Sequence, residues 1–268
     1  MNWLSCHLYK KIVRIRLKIP LISFTFDDFP RSALRAARIL KEHGCRGTFY
    51  ISLGLMGKYG ELGEFFHAKD IKNLVDDGHE LGGHTFSHLD CLETSPEEYR
   101  KDVHKNINGI YRELEGYIVR NFSFPWGHVS PGCKKTISRY FRSMRGTQGG
   151  GINAGMVDLN LLRTNSLYNR TNTISEIRDL IRVNLEEGGW LIFYTHDIRE
   201  NPSPFGCTPG FFQSVLNATL ASPSQILTVN QVLELLLSEA PNKPNKPNLK
   251  IKSAPTGFDT KYLGMSKE

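Results

Sequence analysis

Short apolar runs alternate with longer stretches of helical spacing along most of the chain. Residues 21–26 form a mainly apolar run, and a helix-like stretch at 31–43 follows and stops at Gly44. Strand-like segments at 47–52 and 80–85 flank a helical one at 68–77, and 96–115 reads as a long helix. That helix carries its own start signal, with Ser95 as N-cap, Pro96 at the first helical position and Glu97 and Glu98 in the first turn. The alternation continues with strands at 117–124, 141–145, 161–168 and 190–195 and helices at 131–140 and 174–187, the second ended by Gly188-Gly189. Segments at 211–220, 226–229 and 231–238 complete it. Repeated strand–helix units predict an α/β fold with parallel strands, as a barrel or a doubly wound sheet. In a barrel, chemistry gathers where strands end.

The two ends depart from this rhythm. Residues 1–18 fit two patterns at once. Leu4, Leu8, Ile12, Ile15 and Ile19 follow helical spacing with cations on the other faces, which suits a helix lying on an anionic membrane. Val13, Ile15, Leu17, Ile19 and Leu21 also alternate with Arg14, Arg16, Lys18 and Pro20, the pattern of an edge strand. After Ala240 the Pro-Asn-Lys repeat of 241–248 opens a Pro- and Lys-rich tail with nothing to build a core from. The chain therefore divides into a basic segment at 1–18, a domain at 19–240 and a tail at 241–268.

Charge follows the same division. The 268 residues carry a net charge of +7, which by itself invites a nucleic-acid or anionic-membrane partner. Residues 1–18 hold five cations and no acid, and the tail holds six lysines against Asp259 and Glu268, so the body is close to neutral. A nucleic-acid partner is not expected. Peripheral membrane contact through the basic N-terminus is. No run approaches the 18 to 20 apolar residues of a spanning helix, and the early cations interrupt any secretory core. The cysteines (Cys6, Cys45, Cys91, Cys133, Cys207) are scattered and odd in number, as free thiols in a reducing cytosol would be. The expected compartment is the cytoplasm.

Four predicted strand ends carry residues able to do chemistry. Asp27 and Asp28 close the first apolar run, where carboxylates are costly to bury unless they pair or bind a cation. His84-Thr85-Phe86-Ser87-His88 follows the strand at 80–85, and two imidazoles plus a carboxylate make an open hydrolytic zinc site. Phe122-Ser123-Phe124-Pro125-Trp126-Gly127 offers an indole on a turn, and His196 follows the apolar run at 190–195.

At these residues the chain resembles the polysaccharide deacetylases of carbohydrate esterase family 4, the NodB-homology domain. Thr25-Phe26-Asp27-Asp28 matches that family's first motif and His84–His88 its second, while 122–127 and the run ending at His196 are similar to its third and fifth. The resemblance implies a distorted (β/α)7 barrel over about 19–235. It implies Asp28, His84 and His88 as ligands of a divalent metal, zinc by preference. Asp27 would be the base on the attacking water, His196 the acid for the leaving nitrogen, and the Trp126 backbone N–H a donor to the oxyanion. Trp126, Pro125 and Tyr194 would contact an N-acylated sugar or glycan. Amide hydrolysis calls for such a set: a metal to polarise the carbonyl, a base, an acid and an oxyanion donor.

The chain departs from the family pattern in three places. Ser123 stands where an arginine usually holds the catalytic aspartate, and Arg145 or Arg163 is expected to replace it. The aspartate that tunes the catalytic histidine has no clear match beyond Asp158, and Tyr194 falls where an aliphatic residue usually lines the acyl pocket. The expected activity is removal of an N-acetyl or related acyl group from an amino sugar of a glycan or glycan precursor. The alternatives are a barrel hydrolysing a small non-sugar amide, a decayed carbohydrate-binding protein, and an iron oxygenase, which would leave Asp27 without a role.

Overall fold

A computed structural model describes residues 7–147 and 149–238. The predicted tail at 241–268 and the first six residues lie outside the described residues. Seven parallel strands form the main path. In chain order they are β2 (Leu21–Phe26), β3 (Thr48–Ile51), β6 (Glu80–Gly83), β7 (Asn121–Ser123), β8 (Ser143–Arg145), β10 (Asn165–Ser166) and β11 (Trp190–Thr195). Their spatial order is β10-β11-β2-β3-β6-β7-β8, with β12 (Gln225–Ile226) beside the start of β2. The sheet curls round on itself. A parallel bridge between Arg145 and Leu162 joins β8 to the chain entering β10, and Thr164 Oγ1 donates to the Gly146 carbonyl at 3.1 Å. This is the expected distorted (β/α)7 barrel.

The strands form where the apolar runs lie because parallel strands covered by helices are buried on both faces. β2 and β11 are buried at every position. Phe24 and Phe26 pack outward on Phe193, Phe49 and Phe212, with ring centroids 4.5–5.8 Å apart. The helix Pro96–Glu113 starts as its sequence predicts, with Ser95 accepting from the Glu98 amide at 3.3 Å. The helix Ile174–Glu187 ends on Gly188 at φ 58°, where an added Cβ would meet the Leu17 carbonyl at 2.6 Å.

Within the described part of the N-terminal segment, the alternating residues form a strand. β1 (Ile12–Ile15) pairs antiparallel with β9 (Gly155–Asp158), a strand the sequence pattern did not predict. This ribbon lies outside the barrel sheet, and Ile15 packs with Val157, Leu159, Trp190 and Val229 in a second core. A two-residue hairpin, β4 (Tyr59–Gly60) with β5 (Gly63–Glu64), was also not predicted, and it lies near the open end of the barrel. Among the described residues no helix is long and apolar enough to cross a membrane.

Candidate active site

The chain leaves β2 through a turn that bends sharply. Asp28 and Phe29 both sit at positive φ, 62° and 52°. Seven non-glycine residues have positive φ among those described; four of them (Asp28, Thr85, His88, Trp126) lie in the predicted motifs, and Phe29 directly follows the first. Each such residue costs on the order of 1–3 kcal/mol and persists only where its surroundings impose it. Here the turn sends the two neighbouring carboxylates to different partners.

Asp28 meets the two histidines. His84 Nε2 and His88 Nε2 lie 3.2 and 2.9 Å from Asp28 Oδ1. His84 Nδ1 lies 2.7 Å from the Ser123 carbonyl, which can only accept, so Nδ1 carries the proton and Nε2 presents a lone pair. Asp28 Oδ1 is buried and has no hydrogen-bond partner. Three possible ligand atoms thus converge on one point. The donor set fits a divalent metal with open positions. Burial alone would push the Asp28 carboxyl up, but the two imidazoles outweigh it and hold the group well below the usual carboxylate range. Burial likewise pushes His88 down, and Asp28 raises it above its ordinary value.

The loop between the histidines is pinned from behind. Phe86 and Ser87 donate their amides to Asp102 Oδ1 at 2.6 and 2.8 Å, and Leu89 donates to Thr85 Oγ1 at 3.0 Å. Asp102 was not singled out from the sequence, since its position in a helix carries no local signal.

Asp27 points into the barrel. Its Oδ1 accepts from Arg145 Nη2 at 2.5 Å, and the same nitrogen donates to Thr25 Oγ1 at 3.0 Å. Arg145 is the register partner of Ser123 on the neighbouring strand. Its guanidinium stacks between Tyr50 and Tyr194, 4.5 and 5.5 Å from their ring centroids. Of the two arginines expected to hold Asp27, Arg145 does and Arg163 does not. Arg163 is exposed beside the glycines of 149–151, with its backbone tied to Asn153, because it lies on the chain that enters β10 from outside.

His196 follows β11 with Nε2 3.9 Å from Asp28 Oδ2. Its Nδ1 lies 3.1 Å from the Phe205 carbonyl, which makes Nδ1 the protonated nitrogen. The loop supplying that carbonyl is held by Asp197, which accepts from the Ser203 amide and hydroxyl at 2.8 and 2.5 Å. A backbone carbonyl therefore orients His196. Asp158, the weak candidate for that task, instead binds Lys134 Nζ at 2.7 Å and the Lys11 amide at 2.8 Å, fixing the N-terminal ribbon.

Trp126 sits at φ 62° on its turn, 63% exposed, with its ring 5.0 Å from that of His88. Pro125 is buried and shapes this turn, and it is not among the residues that line the cleft. Tyr194 does line the cleft, a space of about 440 Å³ that also contains Asp27, Asp28, His84, His88 and His196. Tyr168, Leu55, Leu62, Phe65 and Phe205 line it too and were not anticipated. They come from loops and a short hairpin, where hydrophobic periodicity gives no warning.

Fold and site together define a distorted (β/α)7 barrel with an aspartate–histidine–histidine cluster at the strand ends. The chain is similar to the polysaccharide deacetylases, whose family model matches residues 15–140. A peptidoglycan-N-acetylglucosamine deacetylase of Bacillus cereus is 29% identical over 110 residues, 40% of this chain and 37% of that protein. A chitooligosaccharide deacetylase of Azorhizobium caulinodans is 27% identical over 124 residues, 44% of this chain and 53% of that protein. The chain thus spans between a third and about half the length of these curated relatives. Among solved structures, the chitin deacetylase of Colletotrichum lindemuthianum superimposes with a TM-score of 0.58 at 17% identity, covering 81% of this chain and 89% of that one. A family 4 acetyl xylan esterase of Clostridium thermocellum in complex with a cobalt ion gives 0.56 at 21%, covering 80% and 91%. A family 4 pseudoenzyme of Bacillus anthracis gives 0.56 at 15%, covering 82% and 68%, so this fold also occurs without activity.

Proposed function

We propose that the chain is a metal-dependent hydrolase that removes an N-acetyl or related acyl group from an amino sugar. The observation that carries this reading is the convergence of Asp28, His84 and His88 on one point, with Asp27 and His196 beside it. Asp28, His84 and His88 would hold a divalent ion, zinc by preference, which when bound polarises the amide carbonyl and lowers the pKa of water. Asp27 has one oxygen fixed by Arg145, and its other oxygen takes the proton of the attacking water. His196 keeps the Nδ1 proton on the Phe205 carbonyl and delivers a proton from Nε2 to the departing nitrogen. The Trp126 backbone N–H, on its strained turn, would donate to the developing oxyanion. A decayed binding protein would need neither the paired Asp27 nor the oriented His196.

The test joins metal analysis to acyl release from a panel of N-acylated sugars, comparing the protein with Asp27→Asn. The reading predicts one divalent ion bound in both forms and release only by the unsubstituted protein. Normal metal binding with no release by either form would sink it. We also propose a cytoplasmic location, supported by the buried free thiols of Cys45, Cys91, Cys133 and Cys207, to be checked by cell fractionation. Peripheral membrane contact through the N-terminal cations rests on charge alone. Unchanged liposome co-sedimentation on deleting 1–18 would remove it.

A further inference from the structure

The cleft around the candidate site is lined by few groups suited to a sugar. Outside the ligands, Asp27 and His196, the polar side chains lining it are Glu61, Thr147 and the hydroxyls of two tyrosines. Among the described residues no lysine, arginine, asparagine or glutamine lines it. Instead Leu55, Leu62, Phe65, Trp126, Tyr168 and Phe205 form an apolar collar. They come from well-separated parts of the barrel rim: the segment after β3, the turn after β7, the chain after β10 and the loop after β11. Two of the collar rings are open to solvent, Trp126 at 63% and Phe205 at 50% exposure. Such rings gain most from an apolar partner.

The chemistry of a matching substrate follows. Sugar hydroxyls moved from water into this collar would lose hydrogen bonds with few replacements, which disfavours a hydroxyl-rich chain. A phosphorylated sugar would bring negative charge toward Glu61, and among the described residues no lysine or arginine lines the cleft to receive it outside the metal site. We infer that the site prefers an N-acyl amine whose amide is flanked by an apolar ring or short chain, of a size set by the cleft of about 440 Å³. This rests on the deacylase reading above. The step is ordinary hydrolysis: the water oxygen bonds to the carbonyl carbon, the C–N bond breaks, the acyl group leaves as a carboxylic acid and the amine leaves with a proton. The apolar group lies on the acyl side or on the amine side, and the experiment separates these.

The zinc-loaded full chain is assayed on five compounds. These are the methyl glycoside of N-acetylglucosamine, its phenyl glycoside (apolar on the amine side), the N-butyryl methyl glycoside (apolar on the acyl side), tetra-N-acetylated chitotetraose and N-acetylglucosamine 1-phosphate. The expected result is a gain of about tenfold or more in kcat/KM for the phenyl or the butyryl compound over the methyl glycoside. Chitotetraose should give no comparable gain and the phosphate should be poorest. In Phe205→Ala, which leaves the backbone carbonyl on His196, the preference ratio should fall. A thermal midpoint matching the unsubstituted protein guards against misfolding. Chitotetraose surpassing both apolar compounds, or a ratio untouched by Phe205→Ala and Trp126→Ala, overturns the inference. If nothing is hydrolysed, equilibrium binding of the same panel decides. Tighter binding of an apolar compound, weakened in Phe205→Ala, upholds the ligand class while sinking the deacylase reading, and binding without preference overturns both.

Discussion

Replacing Arg145 by methionine tests the electrostatic centre of the site. Asp27 and Arg145 are 2% and 1% exposed, so neither can turn to water when its partner is lost. A pair of unit charges about 4 Å apart interacts by about 4 kcal/mol at the effective dielectric that describes most protein sites. Removing one member of a buried pair costs about 3–5 kcal/mol, because the other is left charged and dry. Methionine approximates the stem of arginine, which keeps the cavity contribution small. Arg145→Met should therefore lower stability by about 3–5 kcal/mol, on the order of 10 °C in Tm for a domain of this size.

Urea unfolding with metal chelated is the assay, since bound metal would add its own stabilisation. The double variant Asp27→Asn/Arg145→Met removes the stranded charge and should regain about 2 kcal/mol or more of the loss. Arg145→Lys keeps the charge but not the planar fork between Asp27 and Thr25, nor the fit between the Tyr50 and Tyr194 rings, and should fall between the two. All three variants should lose activity. A single variant within about 1 kcal/mol of the parent, or a double variant no better than the single, would refute the argument.

Chelation should lower Tm, and added zinc or cobalt at about 100 times Kd should restore about 2.7 kcal/mol, roughly 5–10 °C. Asp28→Asn should abolish that response in a thermal-shift assay. Asp102→Ala frees the two amides between His84 and His88, so calorimetry should show metal affinity falling by about 10–100-fold without loss of the fold. His79 is buried at the opposite end of β6 from the metal cluster, and burial, helped by Arg46, pushes its imidazole down to about 4 from 6.5. The unfolded chain therefore binds the extra proton first as pH falls. Stability should be full above about pH 6.5 and should drop by about 3 kcal/mol on approaching pH 4. His79→Asn, which can still accept from the Gly47 amide, should flatten that slope in urea titrations at several pH values.

What the sequence revealed and what it hid follow from how local each signal is. Asp27, Asp28, His84, Trp126 and His196 were legible because each closes a run of apolar residues, and in a parallel barrel all such ends face one way. The choice between Arg145 and Arg163 was not legible. It depends on sheet register, since only the pairing of Ser123 with Arg145 brings that guanidinium to the inner face. β9 stayed hidden because its partner β1 lies far off in sequence and both are four residues long. For the same reason the N-terminal cations read equally well as a helix: the pairing with β9, not the periodicity, decides. The collar residues Leu55, Leu62, Phe65 and Phe205 sit in irregular segments, where side-chain direction is set by neighbours rather than by a repeat.

The register of β7 and β8 also explains how an arginine one strand away can reach Asp27. Adjacent strands lie about 4.8 Å apart, and register partners point to the same face. Arg145 must therefore span one additional strand spacing that a residue at position 123 would not. Ser123 leaves that route clear, its hydroxyl buried without a hydrogen-bond partner. Tyr50 lies flat along the route because Gly82, beneath its ring, has no Cβ to lift it. With Tyr194 on the other side, the guanidinium is confined between two rings, and Nη2 bridges Thr25 and Asp27. Small residues at 82 and 123 and aromatic ones at 50 and 194 are thus parts of a single device. It neutralises Asp27 from inside the barrel through Oδ1 and leaves the other carboxylate oxygen for the cleft that Asp27 lines.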